Sequence, residues 1–234
     1  MSVAENIARI REQIQSASKR GGRSSAEVAL MAVSKTFPPD SVREAYAAGI
    51  RVFGENRVQE FAGKAGALRD LTDVTWHMIG HLQTNKAAKA AELFSVVDSG
   101  DSLKLARKLN DAAAQLGKKL AILIELNVAG EAAKTGMDPA SPDLEQLLSA
   151  AAQLEHLEIR GLMTVPPFSD DPQQARPFFR RLRELRDQIA KRHLPAVSMD
   201  VLSMGMSHDF EVAIEEGSTC VRVGTAIFGK RHKI

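Results

Sequence analysis

A lysine at the end of an apolar run is the first residue of this sequence whose position suggests chemistry. Lys35 closely follows residues 28–33, a run with the length and composition of a buried strand. An ammonium group in such a place loses hydration, and burial lowers a lysine pKa so that the neutral amine can attack an aldehyde. A surface lysine that opens a loop is the commoner arrangement. Lys35 is therefore a candidate nucleophile that needs support from the rest of the chain.

Two loops near the end of the chain have the residue types that bind phosphate. Residues 203–207 (Ser-Met-Gly-Met-Ser) and the pair Gly224-Thr225 each end or follow an apolar run. Glycine lets a backbone approach an anion closely, and hydroxyl and backbone N–H groups donate to its oxygens. Ser207 and the two residues after it also resemble a helix N-terminus, which favours an anion. Either loop alone is ordinary, but the two together indicate a phosphate site.

Arg222 is the third candidate, because it lies inside an apolar run. Alternation along residues 220–223 turns its side chain to the face opposite Val221 and Val223. An arginine that points into a core needs a partner. It could donate to a pyridine nitrogen without protonating it, since arginine stays charged. A structural ion pair with an acid such as Glu55 is the alternative, and the residues alone leave both open.

The elements that must position these residues follow a regular alternation. Eight short apolar runs predict strands at residues 28–33, 51–53, 76–79, 94–97, 120–128, 159–163, 201–204 and 220–223. Helix-like segments between them include residues 40–48, 103–116, 144–154, 177–191 and 209–216, and several end at a glycine (Gly49, Gly117 and Gly217). This pattern predicts parallel strands joined by crossover helices. We expect an α/β fold, a single closed (β/α)8 TIM barrel domain over residues 1–234 with an extra N-terminal helix over residues 3–20. An open doubly wound sheet is the alternative.

A barrel gathers the residues after its strands at one end, where barrel proteins bind their ligands. In this chain those positions are almost all polar or glycine, and they include the candidates Lys35, Asn56, Ser203, Gly224 and Thr225. A purely structural scaffold does not need such a ring. The pattern therefore indicates a ligand at this end of the barrel.

The composition limits the classes of protein that fit. The 234 residues carry a net charge of +2, and the basic residues are scattered, which argues against a dedicated nucleic-acid surface. Cys220 is the only cysteine, so no intrachain disulfide forms. The start of the chain has no apolar signal core, and no stretch approaches the roughly 20 apolar residues of a membrane span. We expect a cytoplasmic protein with no nucleic-acid or membrane partner.

Other residues with chemical potential lack the context for it. His77 and His81 are four apart, but Gly80 lies between them and no glutamate follows His77, so the zinc-protease pattern fails. No glycine-rich dinucleotide or P-loop pattern occurs, and Cys220 inside a predicted strand is expected to be an inert core thiol. We therefore expect no metal site.

Six segments together resemble one family, the YggS/PROSC pyridoxal 5′-phosphate (PLP) homeostasis proteins, which are similar to the barrel domain of alanine racemase. The segments, in the family's order, are residues 32–36 (AVSKT), 53–60 (FGENRVQE), 76–86 (WHMIGHLQTNK), 161–164 (GLMT), 202–209 (LSMGMSHD) and 217–229 (GSTCVRVGTAIFG). The resemblance implies a fold-type III PLP site. Lys35 matches the Schiff-base lysine, Arg222 the partner of the pyridine nitrogen, and Ser203, Gly224 and Thr225 the phosphate contacts, while Asn56 lines the pocket.

The resemblance also favours binding over turnover. Alanine racemase has a second, mostly β domain and a catalytic tyrosine, whereas this sequence ends five residues after Gly229 and its only tyrosine, Tyr46, is predicted within a helix. Racemisation by two bases needs a second proton donor, and an arginine at the pyridine nitrogen weakens PLP as an electron sink. We expect a monomeric carrier or regulator of PLP that serves PLP-dependent apoenzymes. A PLP-dependent amino-acid racemase is the alternative, and a phosphate-binding barrel enzyme without PLP is disfavoured by the matches at Lys35 and Arg222.

Overall fold

The strands predicted from the sequence form a closed barrel. The computed structural model describes residues 1–131 and 134–229. Within them the strands are β1 (Ala29–Val33), β2 (Val52–Glu55), β3 (Thr75–Met78), β4 (Val96–Gly100), β5 (Leu120–Glu125), β6 (Leu157–Met163), β7 (Val197–Met206) and β8 (Cys220–Val223). All are parallel and lie in sequential order, and β8 pairs with β1 so that no edge is left open. The predicted barrel is confirmed, and the open doubly wound sheet is wrong.

A helix precedes β1 and one follows each strand. The helices are α1 (Val3–Arg20), α2 (Pro39–Ala47), α3 (Val58–Ala65), α4 (Ala87–Leu93), α5 (Leu103–Gln115), α6 (Pro142–Ala150), α7 (Arg176–Ala190), α8 (Phe210–Glu215) and α9 (Thr225–Phe228). The three glycines predicted to end helices do so with positive φ, from 61° to 100°. In the ranges that the structure describes, none of the helices is long and apolar enough to cross a membrane.

The extra helix α1 covers the seam where the barrel closes. A capping box between Ser2 and Glu5 starts it, and Ile7, Ile10 and Ile14 are buried at helical spacing. It packs against α2, α8 and α9. Because α9 has only four residues, it is too short to cover β8 and β1 by itself. The predicted N-terminal helix is therefore an integral part of the barrel's outer layer.

Several strand boundaries differ from the prediction, most widely in β7, which runs over Val197–Met206 rather than residues 201–204. At two of them the reason is that an apolar side chain can be buried outside a strand. Phe94 was predicted to open β4, but it is the residue at which α4 ends, and its ring lies 5.0 Å from that of Phe61. The fifth strand was predicted to run to Val128 but ends at Glu125, beyond which only an isolated bridge joins Leu126 to Met137. In both places apolar content alone did not distinguish a strand from a buried loop.

Alternation along β2 and β3 decides which side chains enter the barrel. Phe53 and Trp76 are aligned in register and pack on α3, where the ring of Phe61 lies 4.5 Å from that of Trp76. Because successive side chains on a strand point to opposite faces, the next residues, Gly54 and His77, face the barrel interior. Because Phe53 and Trp76 pack outside the barrel, the side chain of His77 is directed into the barrel interior.

Candidate functional site

Strand register brings three of the predicted site residues to one place at the barrel mouth. Val33 is aligned with Gly54, so Lys35 and Asn56, each two residues further on, lie at the same level. On the other side of β1, a Cβ on Gly224 would lie 3.3 Å from the carbonyl oxygen of Val33. Lys35 is half-buried at this point. The strand ends that lead to Lys35, Asn56 and Gly224 are therefore adjacent although these residues are far apart in the sequence.

Asn56 is positioned by a close backbone contact with the next loop. A Cβ on Gly80 would lie only 2.4 Å from the carbonyl oxygen of Asn56, so a side chain there would displace it. Asn56 lines a cavity of about 250 Å³ together with His81 and Gln83. Two larger cavities, of about 560 and 530 Å³, lie where the strands begin, at the end of the barrel that does not carry ligand sites in proteins of this fold.

Backbone donors converge where the sequence predicted a phosphate site. The N–H groups of Gly224 and Ala226 both donate to the hydroxyl oxygen of Ser207, at 3.3 and 3.4 Å. Thr225 lies between them as the first, exposed residue of α9. Two N–H groups aimed at one oxygen are an arrangement that suits an oxygen of an anion. Ser207 lies in the predicted loop but is not among the predicted phosphate contacts, although its hydroxyl directly follows the seventh strand.

Ser203 was predicted to lie in the same loop, but it lies inside β7, and its hydroxyl binds side chains in the barrel interior. Its side chain is fully buried and accepts a hydrogen bond of 2.7 Å from Arg222. It donates in turn to Asp98, at 3.4 Å. The prediction that Ser203 contacts a phosphate stays a prediction, and here the hydroxyl joins an arginine to a carboxylate.

Arg222 points into the barrel and is fixed there by the neighbouring strands. Its guanidinium donates to the carbonyl oxygens of Ser203 and Thr164, both at 2.7 Å, as well as to the Ser203 hydroxyl. Burial lowers the pKa of Arg222 and the negative charge of Asp98 opposes that shift, so the group stays charged. The alternative ion pair with Glu55 is not formed, because Glu55 pairs with Lys64 at 2.8 Å.

Two site residues that the sequence analysis missed complete a network across the barrel. Nδ1 of His77 on β3 lies 2.7 Å from Asp98 on β4, whose carboxylate is fully buried. The chain His77–Asp98–Ser203–Arg222, here called the buried polar network, replaces the branched apolar layer of a structural barrel. The available signal was Asp98, a charged residue at the end of an apolar run. His81 pairs separately with Asp101, at 3.0 Å, and the described residues contain no group of three or more His, Cys, Asp or Glu side chains that could hold a metal ion.

Two residues that the sequence analysis set aside lie away from this chemistry. The Tyr46 hydroxyl donates to Asp73, at 2.8 Å, and its ring lies 4.0 Å below the Arg51 guanidinium, at the end of the barrel where strands begin. Cys220 is buried, and burial raises the pKa of its thiol to about 12, as expected for an inert core thiol. Neither side chain reaches the mouth around Lys35.

Comparison with known proteins shows the class of barrel to which this chain belongs. Residues 5–232 match the family model described as alanine racemase, N-terminal domain. Alanine racemase from Streptomyces coelicolor has the same fold, with a TM-score of 0.71 at 22% identity over 96% of this chain and 58% of that one. The barrel is therefore of the alanine racemase type.

More similar proteins narrow the class. A pyridoxal phosphate homeostasis protein of Aquifex aeolicus is 45% identical over 99% of this chain and 99% of its own length. PipY of Synechococcus elongatus, solved with PLP bound, has a TM-score of 0.85 at 39% identity and covers 97% of this chain and 100% of that one. The chain belongs to the alanine racemase N-terminal domain family and, within it, to the pyridoxal phosphate homeostasis proteins.

Proposed function

We propose that this protein binds PLP as a Schiff base on Lys35 and serves PLP (vitamin B6) homeostasis, holding the cofactor for delivery or buffering. The observation that carries the proposal is that Gly224 lies against Val33, two residues before Lys35, and that its N–H belongs to a pair of converging backbone donors. PipY, which is similar over its whole length, was solved with PLP, and the curated relatives are named for PLP homeostasis. These relatives support a binding role rather than a racemase.

The residues at the mouth fit the parts of PLP. The N–H groups around Gly224 and Thr225, with the hydroxyl of Ser207 and the predicted contact Ser203, suit the phosphate. Arg222, fixed by three hydrogen bonds, suits the pyridine nitrogen, and Asn56 lines the pocket. PLP supplies a reactive aldehyde when bound. Lys35 would supply the amine that joins that carbon with loss of water, and a second amine could then release the cofactor.

The setting of this activity is part of the proposal. The chain acts as one domain over residues 1–234 and as a monomer, and it passes PLP to PLP-dependent apoenzymes in the cytoplasm. The lone, buried Cys220 agrees with a reducing compartment. Size-exclusion chromatography with light scattering tests the monomer, and transfer of PLP to an apoenzyme, followed by recovery of that enzyme's activity, tests the delivery.

The converging N–H groups of Gly224 and Ala226 predict a strong preference for PLP over pyridoxal, which lacks the phosphate. Hydrogen bonds to a charged group contribute about 1.5–3 kcal/mol each, so the unmodified protein should bind PLP at least about tenfold more tightly than pyridoxal. In Gly224→Leu a side chain meets Val33, which moves the N–H donors and removes most of that preference. Titrations followed by absorbance measure both affinities.

The controls keep the phosphate contribution separate from folding. Gly224 has negative φ, so the leucine needs no strained backbone, and the far-ultraviolet circular dichroism of the variant should match that of the parent. Ser207→Ala removes a single hydroxyl and should have a smaller effect in the same direction. Equal affinity of the unmodified protein for PLP and pyridoxal would contradict the phosphate assignment.

A PLP-dependent amino-acid racemase is the alternative function, and it predicts rapid exchange of the alanine α-hydrogen. We expect little or no exchange, because Arg222 keeps the pyridine nitrogen unprotonated and Tyr46 lies at the other end of the barrel. The assay is loss of the α-proton signal of L-alanine in deuterated water, with the PLP-loaded protein. Formation of D-alanine at rates typical of enzymes, on the order of 10 per second, would establish the racemase instead.

A further inference from the structure

Lys35 is carried by a tight turn, residues 34–37, whose backbone is strained. Thr36 has a φ of +67°, in the left-handed region that residues other than glycine seldom adopt. A conformation of this kind persists only where the surrounding contacts over-determine it, and it is found most often at functional sites. The contacts that impose it at Thr36 are therefore relevant to the way in which Lys35 is presented.

Helix α3 makes most of these contacts. Glu60 and Lys64 are four residues apart and so lie on one face of the helix. A carboxylate oxygen of Glu60 accepts the N–H of Thr36. The ammonium of Lys64 donates to the carbonyl oxygens of Ser34 and Phe37, at 2.8 and 3.2 Å. Lys64 thus binds both ends of the turn, at Ser34 and Phe37, and Glu60 binds its centre, at Thr36.

Lys64 is itself held in place by a buried carboxylate. Its side chain is only 8% exposed, and its nitrogen lies 2.8 Å from Oε1 of Glu55, which is fully buried. An ammonium has three N–H donors, and all three of these acceptors lie within reach of it. The hydroxyl of Ser34 donates to the same oxygen of Glu55, at 2.6 Å. Without Glu55 a buried ammonium would be costly, so the pair acts as a unit.

The 34–37 turn also contacts α9, which follows Gly224, and the neighbouring strand β2. The ring of Phe37 lies 4.8 Å from that of Phe228, at the end of α9. The N–H of Ser34 donates to Gly54, on the strand that leads to Asn56. The residues around Lys35 are therefore joined both to α9, which follows Gly224, and to the strand that precedes Asn56.

We infer that Lys64, with Glu55 and Glu60, positions the 34–37 turn so that the amine of Lys35 meets the aldehyde without prior rearrangement. This inference rests on the proposed function at Lys35. Lys64 is a positioning residue rather than a second attachment point, because its N–H groups are committed to Ser34, Phe37 and Glu55. A nucleophile that is preorganised in this way reacts faster without a gain in the binding of the rest of the cofactor.

The test separates reaction with the aldehyde from binding of ring and phosphate. Stopped-flow absorbance follows adduct formation when PLP is mixed with the PLP-free protein, and titration with pyridoxine 5′-phosphate, which has no aldehyde, reports the other contacts. Lys64→Met should slow adduct formation at least about tenfold, the scale of one lost hydrogen bond to a charged group. Its affinity for pyridoxine 5′-phosphate should stay within about threefold, since Lys64 does not face those groups.

Further variants guard against unfolding. Lys64→Met leaves Glu55 buried without a partner, so the double variant Lys64→Met/Glu55→Gln removes both charges, and Glu60→Ala removes one contact from the surface side of α3. Both should slow adduct formation in a folded protein. Lys118→Met is the control, because Lys118 is half-buried, although less deeply than Lys64, and also donates to a carbonyl oxygen, that of Phe94, at the other end of the barrel.

Hydrogen exchange in the PLP-free protein gives a readout that does not depend on PLP. The N–H of Phe37 donates to Ser34 within the turn and should exchange faster in both Lys64 variants than in Lys118→Met. Unchanged exchange and unchanged adduct rates in the folded double variant would overturn the inference, and so would an equal loss of pyridoxine 5′-phosphate binding. If the unmodified protein forms no adduct at Lys35, the proposed function fails instead, whatever the exchange shows.

Discussion

Lys35→Ala is expected to abolish the borohydride-reducible PLP adduct while leaving the barrel folded. The half-buried side chain stands on a turn at the mouth rather than in the core, so its truncation removes the amine without opening a cavity. Borohydride converts a lysine Schiff base into a stable secondary amine. The measurement is mass spectrometry of the peptides after reduction, together with the absorbance of the PLP-loaded protein before it.

The control for this experiment is a lysine on the outside of the barrel. Lys89 forms an exposed ion pair with Glu92, at 2.8 Å, and Lys89→Ala should retain the full adduct. An adduct found mainly on another lysine, for example Lys86, would show that Lys35 is not the attachment site. Retention of the yellow colour without a reducible adduct in Lys35→Ala would mean that PLP is bound only through its ring and phosphate.

Arg222→Met is expected to lower the free energy of unfolding more than a substitution at any exposed arginine of the protein. It leaves Asp98 buried without its compensating charge and removes the donors from the carbonyl oxygens of Ser203 and Thr164. Removal of one member of a buried charged network costs about 3–5 kcal/mol. Urea unfolding of the PLP-free protein, followed by circular dichroism, measures the change in the free energy of unfolding.

Two further variants isolate the cause of that loss. In Arg222→Met/Asp98→Asn both charges of the buried polar network are absent, so part of the stability should return. Arg192→Met breaks a pair of hydrogen bonds to Glu145 of similar length, 2.7 and 2.8 Å, but at an exposed position, where about 0–1 kcal/mol is expected. Similar losses for Arg222→Met and Arg192→Met would contradict a compensating role for Arg222 in the barrel interior.

The architecture of this protein could be predicted from local patterns. The apolar runs that became β1 and β8 differ from prediction by at most one residue, and the N-terminal helix lies where the spacing of Ile7, Ile10 and Ile14 indicated. Strand length, helical spacing and terminal glycines are properties of neighbouring residues, so one sequence contains them. The error at Phe94 arose because an apolar side chain is buried by packing outside a strand, whereas β4 and β7 are longer than predicted because polar residues continue them.

The sequence by itself also determined which residue types the mouth would contain, because every polar residue that follows a parallel strand must lie at the same end of the barrel. Lys35, Asn56 and Gly224 are predicted on that ground, and the register of β1 with β2 and β8 brings the strand ends that carry them together. Their roles toward PLP stay predictions. The resemblance to a known family supplied those roles, since residue types alone left Arg222 open.

Only the tertiary structure decided which side chains are partners. Arg222 was open to a pair with Glu55, but the alternation of β2 and β8 directs Glu55 to Lys64 on α3 and Arg222 to Ser203 inside the barrel. His77 became a partner of Asp98 in the same way. Such contacts join residues that are distant in the sequence, and their identity depends on strand register and on the face that each side chain takes. Strand register and side-chain face are defined only once the barrel has closed. The pattern that predicts a strand, in contrast, is present in the chain before it folds.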